Sequence, residues 1–80
     1  SFALKPKTLN INGFEVPYPE AEAPKVGTMH WAVYLDAVRP LTWDGDDVDL
    51  EHLHDGRVHL SEENAEKHRV ALLSFFKVKD

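Results

Sequence analysis

Cysteine is missing from the chain, which excludes disulfide reinforcement and any thiolate metal site. In a domain of 80 residues that matters, because one core of this size supplies only about 3–5 kcal/mol. The reinforcements left are close packing, a partner, or self-association. Long apolar runs are missing too. No stretch approaches the roughly 20 residues that cross a bilayer, and the opening Ser1-Phe2-Ala3-Leu4-Lys5-Pro6-Lys7 lacks the apolar centre of a secretory signal. The expectation is a protein of the cytoplasm with no membrane contact.

Basic residues are in short supply: Lys and Arg total 9 against 14 Asp and Glu, a net charge of −5. A phosphate backbone repels such a chain unless its cations cluster, and Lys5, Lys7, Lys25, Lys67, Arg69, Lys77 and Lys79 are dispersed. Direct nucleic-acid binding is therefore disfavoured. The 4 glycines are scattered and form no phosphate loop, and serine occurs only at positions 1, 61 and 74. No spacing marks a carboxylate pair for acid–base work, and so short a chain is not expected to build a pocket of several hundred Å3. These absences predict a protein that is not an enzyme and needs no cofactor.

What is present organises into one α+β domain in three stretches. Residues 1–27 hold a fraying start, a hairpin and an arm. Leu9, Ile11, Phe14 and Val16 flank Asn12-Gly13, the strongest short hairpin signal, and Pro17, Pro19 and Pro24 make the arm irregular, either a recognition segment or a strap that Tyr18 fastens over the core. Residues 28–60 begin with an alternating strand that places Met29, Trp31, Val33 and Leu35 inward, with His30, Ala32 and Tyr34 opposite. A second strand runs to Trp43, and Pro40 assigns it to an edge or a bulge. Asp44-Gly45-Asp46-Asp47 then caps a short acidic helix over 48–54, anchored beneath by Leu50 and Leu53 and stopped at Gly56. Residues 61–78 form the C-terminal helix. Ser61 is its N-cap, Glu62 and Glu63 sit in its first turn, and its stripe is Ala65, His68 or Arg69, Leu72, and Phe75 or Phe76. The predicted architecture is a small antiparallel sheet with the C-terminal helix packed across it, an N-terminal β-hairpin and a short acidic helix. No internal repeat is present.

Two surfaces stand out as candidates for function: an acidic segment, and the aromatics Trp31, Tyr34 and Trp43 of the strands with Phe75 and Phe76 of the C-terminal helix. Asp44, Asp46, Asp47, Asp49, Glu51 and Asp55 place six carboxylates in twelve residues with no Lys or Arg among them. Such a face steers toward a basic partner, a groove that normally holds nucleic acid included; the alternative is a solvated helix face. Trp43 or an exposed Phe, with Phe76 the choice, would be its apolar anchor, and an exposed Phe could equally serve a homodimer. Five histidines, three of them within His52–His59, raise a histidine metal site as an alternative. Yet His52 and His54 diverge by roughly 200° on a helix. An EF-hand counted from Asp44 fails in register, with Val48, Asp49 and Asp55 at its fifth, sixth and twelfth positions.

The segments Leu9-Asn-Ile-Asn-Gly-Phe-Glu-Val-Pro17, Val26-Gly-Thr28 and Val58-His-Leu-Ser-Glu-Glu-Asn-Ala-Glu-Lys-His-Arg-Val-Ala-Leu-Leu-Ser-Phe75 resemble short accessory proteins of tailed bacteriophages and prophages. The resemblance covers most of the chain, though its parts are structural punctuation, and it supplies no catalytic residue to carry over. It implies a host bacterial cytoplasm during infection and a non-enzymatic inhibitor of a host protein with a basic surface, of the anti-CRISPR or anti-restriction kind. A nucleic-acid-associated module is the alternative reading from a different class.

Overall fold

Asn12 and Gly13 both take positive φ, 50° and 89°, as a two-residue type I′ hairpin turn requires. In the computed structural model, which describes residues 8–77, this turn joins β1 (Thr8–Ile11) to β2 (Phe14–Pro17), with Leu9 opposite Val16 and Ile11 opposite Phe14. The hairpin forms its own two-stranded sheet and lies against the C-terminal helix through β2, where Val16 is fully buried. The fraying expected of residues 1–7 lies outside the described residues. The arm behaves as a strap: the Glu20 N–H donates to the Val58 carbonyl at 2.8 Å, and Tyr18 stays half exposed.

β3 (Met29–Val33) is the centre of the main sheet, flanked by β4 (Val38–Thr42) and β5 (Val58–His59) in the antiparallel order β4-β3-β5. Pro40 is on the edge strand β4, where its missing N–H costs no ladder bond. α1 (Asp47–His54) and α2 (Glu62–Leu73) complete the fold, and a 3-10 turn over Ser74–Phe76 finishes α2. Ser61 caps α2 by accepting the Asn64 N–H at 3.1 Å, and Gly56, at φ 70°, follows the end of α1.

The inward and outward assignments on β3 need correction. Residues directly opposite in an antiparallel sheet share a face. Trp31 pairs with Pro40 and with His59, and His59 bonds His68 of α2, so that face lies under α2. His30 and Ala32, paired with Leu41, Arg39 and Val58, point the other way, where His30 meets Asp49 of α1 and the edge of Trp43. The sheet is therefore covered on both sides. His30 and Ala32 are fully buried, while Met29 and Leu35 are exposed. A strand covered on both faces gives no single inward side for alternation to find.

α1 departs from expectation in the same way. Asp49 and His52 are its buried residues, Leu53 is half-buried, and Leu50 is 40% exposed. The helix rests on polar groups because the surface beneath it is polar. Tyr34 Oη lies 3.0 Å from His52 Nε2, and His30 faces Asp49. The core accordingly mixes small apolar side chains (Val16, Ala32, Val33, Val58, Ala65, Ala71) and Trp43 with His30, Asp49, His52, His59 and His68. α2 buries Ala65, His68 and Ala71, a stripe at spacings of three, whereas Phe75 and Phe76 are 60% and 67% exposed.

Candidate functional site: the acidic end of α1

The turn before α1 folds back on itself. Asp46, the N-cap, accepts the Asp49 N–H at 2.9 Å, and Asp49 returns the favour one residue further back. Its Oδ2 accepts the N–H groups of Asp44 (2.9 Å) and Gly45 (3.2 Å), a variant of the capping box. Gly45 at φ 74° permits this close wrap, and the Asp46 N–H donates to Asp44 Oδ1 at 3.2 Å. The consequence is a cluster: one carboxylate oxygen each from Asp44, Asp46 and Asp49 lie within 4.8 Å of one another.

The electrostatics follow from this geometry. Burial pushes the Asp49 carboxyl up, but the N–H groups of Asp44 and Gly45, the Asp44 side chain and the charge of His30 together hold it below the ordinary aspartate value. The Asp46 N–H pulls Asp44 down, yet the neighbouring Asp49 carboxylate, partial burial and the charge of Asp46 leave it above the ordinary value. Two adjacent carboxylates have been driven apart.

Of the predicted face, Asp44, Asp46, Asp47 and Glu51 are exposed and gathered at this end of the molecule. Asp47, Leu50, Glu51 and His54 recur at three and four residue spacings and form one exposed stripe along α1, with Val48 exposed beside it. Two expected members drop out. Asp49 is 4% exposed because it closes the turn. Trp43 is 2% exposed, because its backbone continues the β3–β4 ladder by donating to the Thr28 carbonyl at 2.8 Å and its ring packs on His30. It is a core residue and no surface anchor. Phe76 is exposed, but it follows Ser74, whose Oγ accepts from Asn12 Nδ2 at 2.8 Å, and so belongs to the hairpin end.

Two features escaped the sequence. The first is the polar layer under α1: neither nitrogen of fully buried His30 is hydrogen-bonded, and its Nε2 lies 3.8 Å from Asp49 Oδ1. Arg39 and Arg57 both stack on Tyr34, at 4.8 and 4.7 Å from its ring centre. The second is an open groove of about 620 Å3 between hairpin and α2, lined by Phe14, Glu15, Glu62, Glu63, Glu66, Lys67 and Val70. Its volume corrects the expectation that so short a chain builds no pocket of that size. A hairpin laid on a helix makes a cleft that neither element has alone.

No helix among the described residues is long and apolar enough to cross a membrane. Neither a protein-family model, nor a curated protein, nor a solved structure matches the chain.

Proposed function

We propose that this is a non-enzymatic binding protein whose acidic α1 face engages a basic surface on another protein. The observation that carries the reading is the exposed stripe Asp47, Leu50, Glu51 and His54, with Asp44 and Asp46 at its head and no Lys or Arg between Arg39 and Arg57. Carboxylates surrounding an exposed leucine supply both halves of a recognition surface: charge that steers and selects, and an apolar contact that holds. Leu50 takes the anchor role first assigned to Trp43. In the setting that the phage resemblance implies, the partner is a nucleic-acid-handling host enzyme in the bacterial cytoplasm, and occupying its basic groove inhibits it.

A nucleic-acid-associated module has less support. Arg39 pairs with Asp36 at 2.9 Å, Lys67 with Glu63 at 3.5 Å, and Arg69 with Glu66, so several of the cations it would need are already engaged. The groove supports a second location for the same kind of contact, since Phe14 and Val70 lie there among four glutamates and a single lysine.

The test is charge reversal confined to the outer stripe, Asp47→Lys with Glu51→Lys. Both residues are exposed, neither takes part in the turn, and binding should be lost while the melting temperature stays nearly unchanged. Retained binding would place the contact elsewhere, with the groove next in line. Retardation of short oligonucleotides at low salt would favour the nucleic-acid reading instead.

A further inference from the structure

The hairpin lies against α2 through β2, where Val16 is fully buried, yet two further apolar side chains stay uncovered beside it. Phe14 on β2 is 41% exposed and Val70 on α2 is 40% exposed. Both line the open groove of about 620 Å3 between these elements. Along α2 the groove runs over Glu62, Glu63, Glu66, Lys67 and Val70, whose spacings of three and four put them on one face. At 1.5 Å per residue that face is about 12 Å long, the span of about four residues of extended chain.

Charge on the groove is unbalanced. Among the described residues its rim carries four glutamates, Glu15, Glu62, Glu63 and Glu66, against the single Lys67. Two of them hold cations already: Lys67 stands 3.5 Å from Glu63, and Arg69 bonds Glu66 through one carboxylate oxygen. No cation among the described residues pairs with Glu15 or Glu62. Thr8 Oγ1 donates to Glu15 Oε2 at 2.6 Å, which orients that carboxylate without neutralising it. Apolar walls under an acidic rim fit a large apolar side chain carried between two cations. A neutral apolar segment would desolvate the carboxylates without pairing them, and a nucleic-acid backbone would be repelled.

We propose that the groove between the hairpin and α2 receives a short extended segment of a partner protein in which Arg or Lys flanks a large apolar residue. The apolar side chain enters between Phe14 and Val70, and the flanking cations pair with Glu15 on the hairpin and Glu62 on α2. In an extended chain the two cations point one way and the residue between them the other, which matches a rim above a floor. A free polyamine would satisfy the rim alone and leave Phe14 and Val70 in water. The inference extends the reading of a binding protein but rests on a separate surface, because neither Asp47 nor Glu51 lines the groove.

The experiment follows the fluorescence anisotropy of a short, end-blocked, dye-labelled peptide with arginine, leucine and arginine in sequence between glycines. Wild type should bind it saturably below millimolar concentration. Glu15→Gln with Glu62→Gln should weaken binding at least tenfold, and glutamine keeps the oxygen that accepts from Thr8. Val70→Ser, at an exposed helix position, tests the apolar wall separately. It should weaken the leucine peptide at least threefold and leave a serine-for-leucine peptide, itself a poorer ligand, unchanged. The Asp47→Lys/Glu51→Lys variant should bind the peptide like wild type, so failure of the groove and failure of the α1 face give different patterns. Three results would overturn the groove: no binding at millimolar peptide, binding that survives the double substitution, or serine peptide and spermidine bound as tightly as the leucine peptide. The last would mean a rim collecting cations with no apolar contact.

Discussion

His59 Nε2 and His68 Nδ1 lie 2.9 Å apart with their rings at 88°, a buried bond that joins β5 to α2. It needs one nitrogen to donate and the other to accept, so both rings cannot be charged. Burial, reinforced by the charge of His68, lowers His59 from 6.5 to about 4, and burial lowers His68 as well. His52 is lowered by burial first and then by the charge of Arg57.

The pH dependence of stability follows from these directions. Between pH 6.5 and about 4 the unfolded chain binds protons at His59 that the folded protein refuses, so stability falls as pH falls. Each fully differential histidine contributes about 1.4 kcal/mol per pH unit. Asp49, held below its ordinary value, acts in the same direction at still lower pH. Urea midpoints measured from pH 7.5 down to 4.5 should change little above about pH 6.5 and decline below it, and a flat profile would show that the histidines are not buried as neutral rings.

Asp49 and Asp47 are two residues apart and should behave oppositely. Asp49→Ala strips an acceptor from two backbone N–H groups and should cost about 1–3 kcal/mol, a large part of the stability of a domain this small. Asp47→Ala, at an exposed position, should stay within about 0.5 kcal/mol. Denaturant unfolding of the two variants side by side checks this, and equal effects would contradict the folded-back turn.

Ser61→Ala removes the acceptor of the Asn64 N–H at the start of α2. Because α2 lies against both the main sheet and the hairpin, fraying of its first turn reaches both. The expected loss is about 1 kcal/mol, and Ser61→Asp should restore most of it. A neutral Ser61→Ala would mean that the cap is dispensable.

The legible parts of the fold were those in which one residue type performs one local task. Asn12-Gly13 names its turn, Ser61 its cap, Pro40 its edge strand and Gly56 the end of α1, and each holds its expected place. What stayed hidden depends on packing between elements. Alternation along Met29–Val33 could not choose an inner face because helices cover both, and His30, placed on the outer side of that strand, joins His52, His59 and the stripe residue His68 in the core. The site was legible as a run of carboxylates, but the run mixes roles. Asp49 and Asp46 build the turn, whereas Asp47 and Glu51 face out. Helical spacing already groups Asp47, Leu50, Glu51 and His54 against Asp49 and His52; the apolar character of Leu50 argued for the wrong side. Trp43 looked like an anchor because of its acidic neighbours, while its backbone bond to Thr28 makes it part of the sheet.

The most direct measurement is capture from bacterial lysate with wild type and the Asp47→Lys/Glu51→Lys variant side by side, bound proteins being quantified by mass spectrometry and both baits matched by melting temperature. The acidic-face reading predicts a protein with a basic surface that is retained by wild type, released by added salt and absent from the variant. A partner held equally by both baits would contradict it.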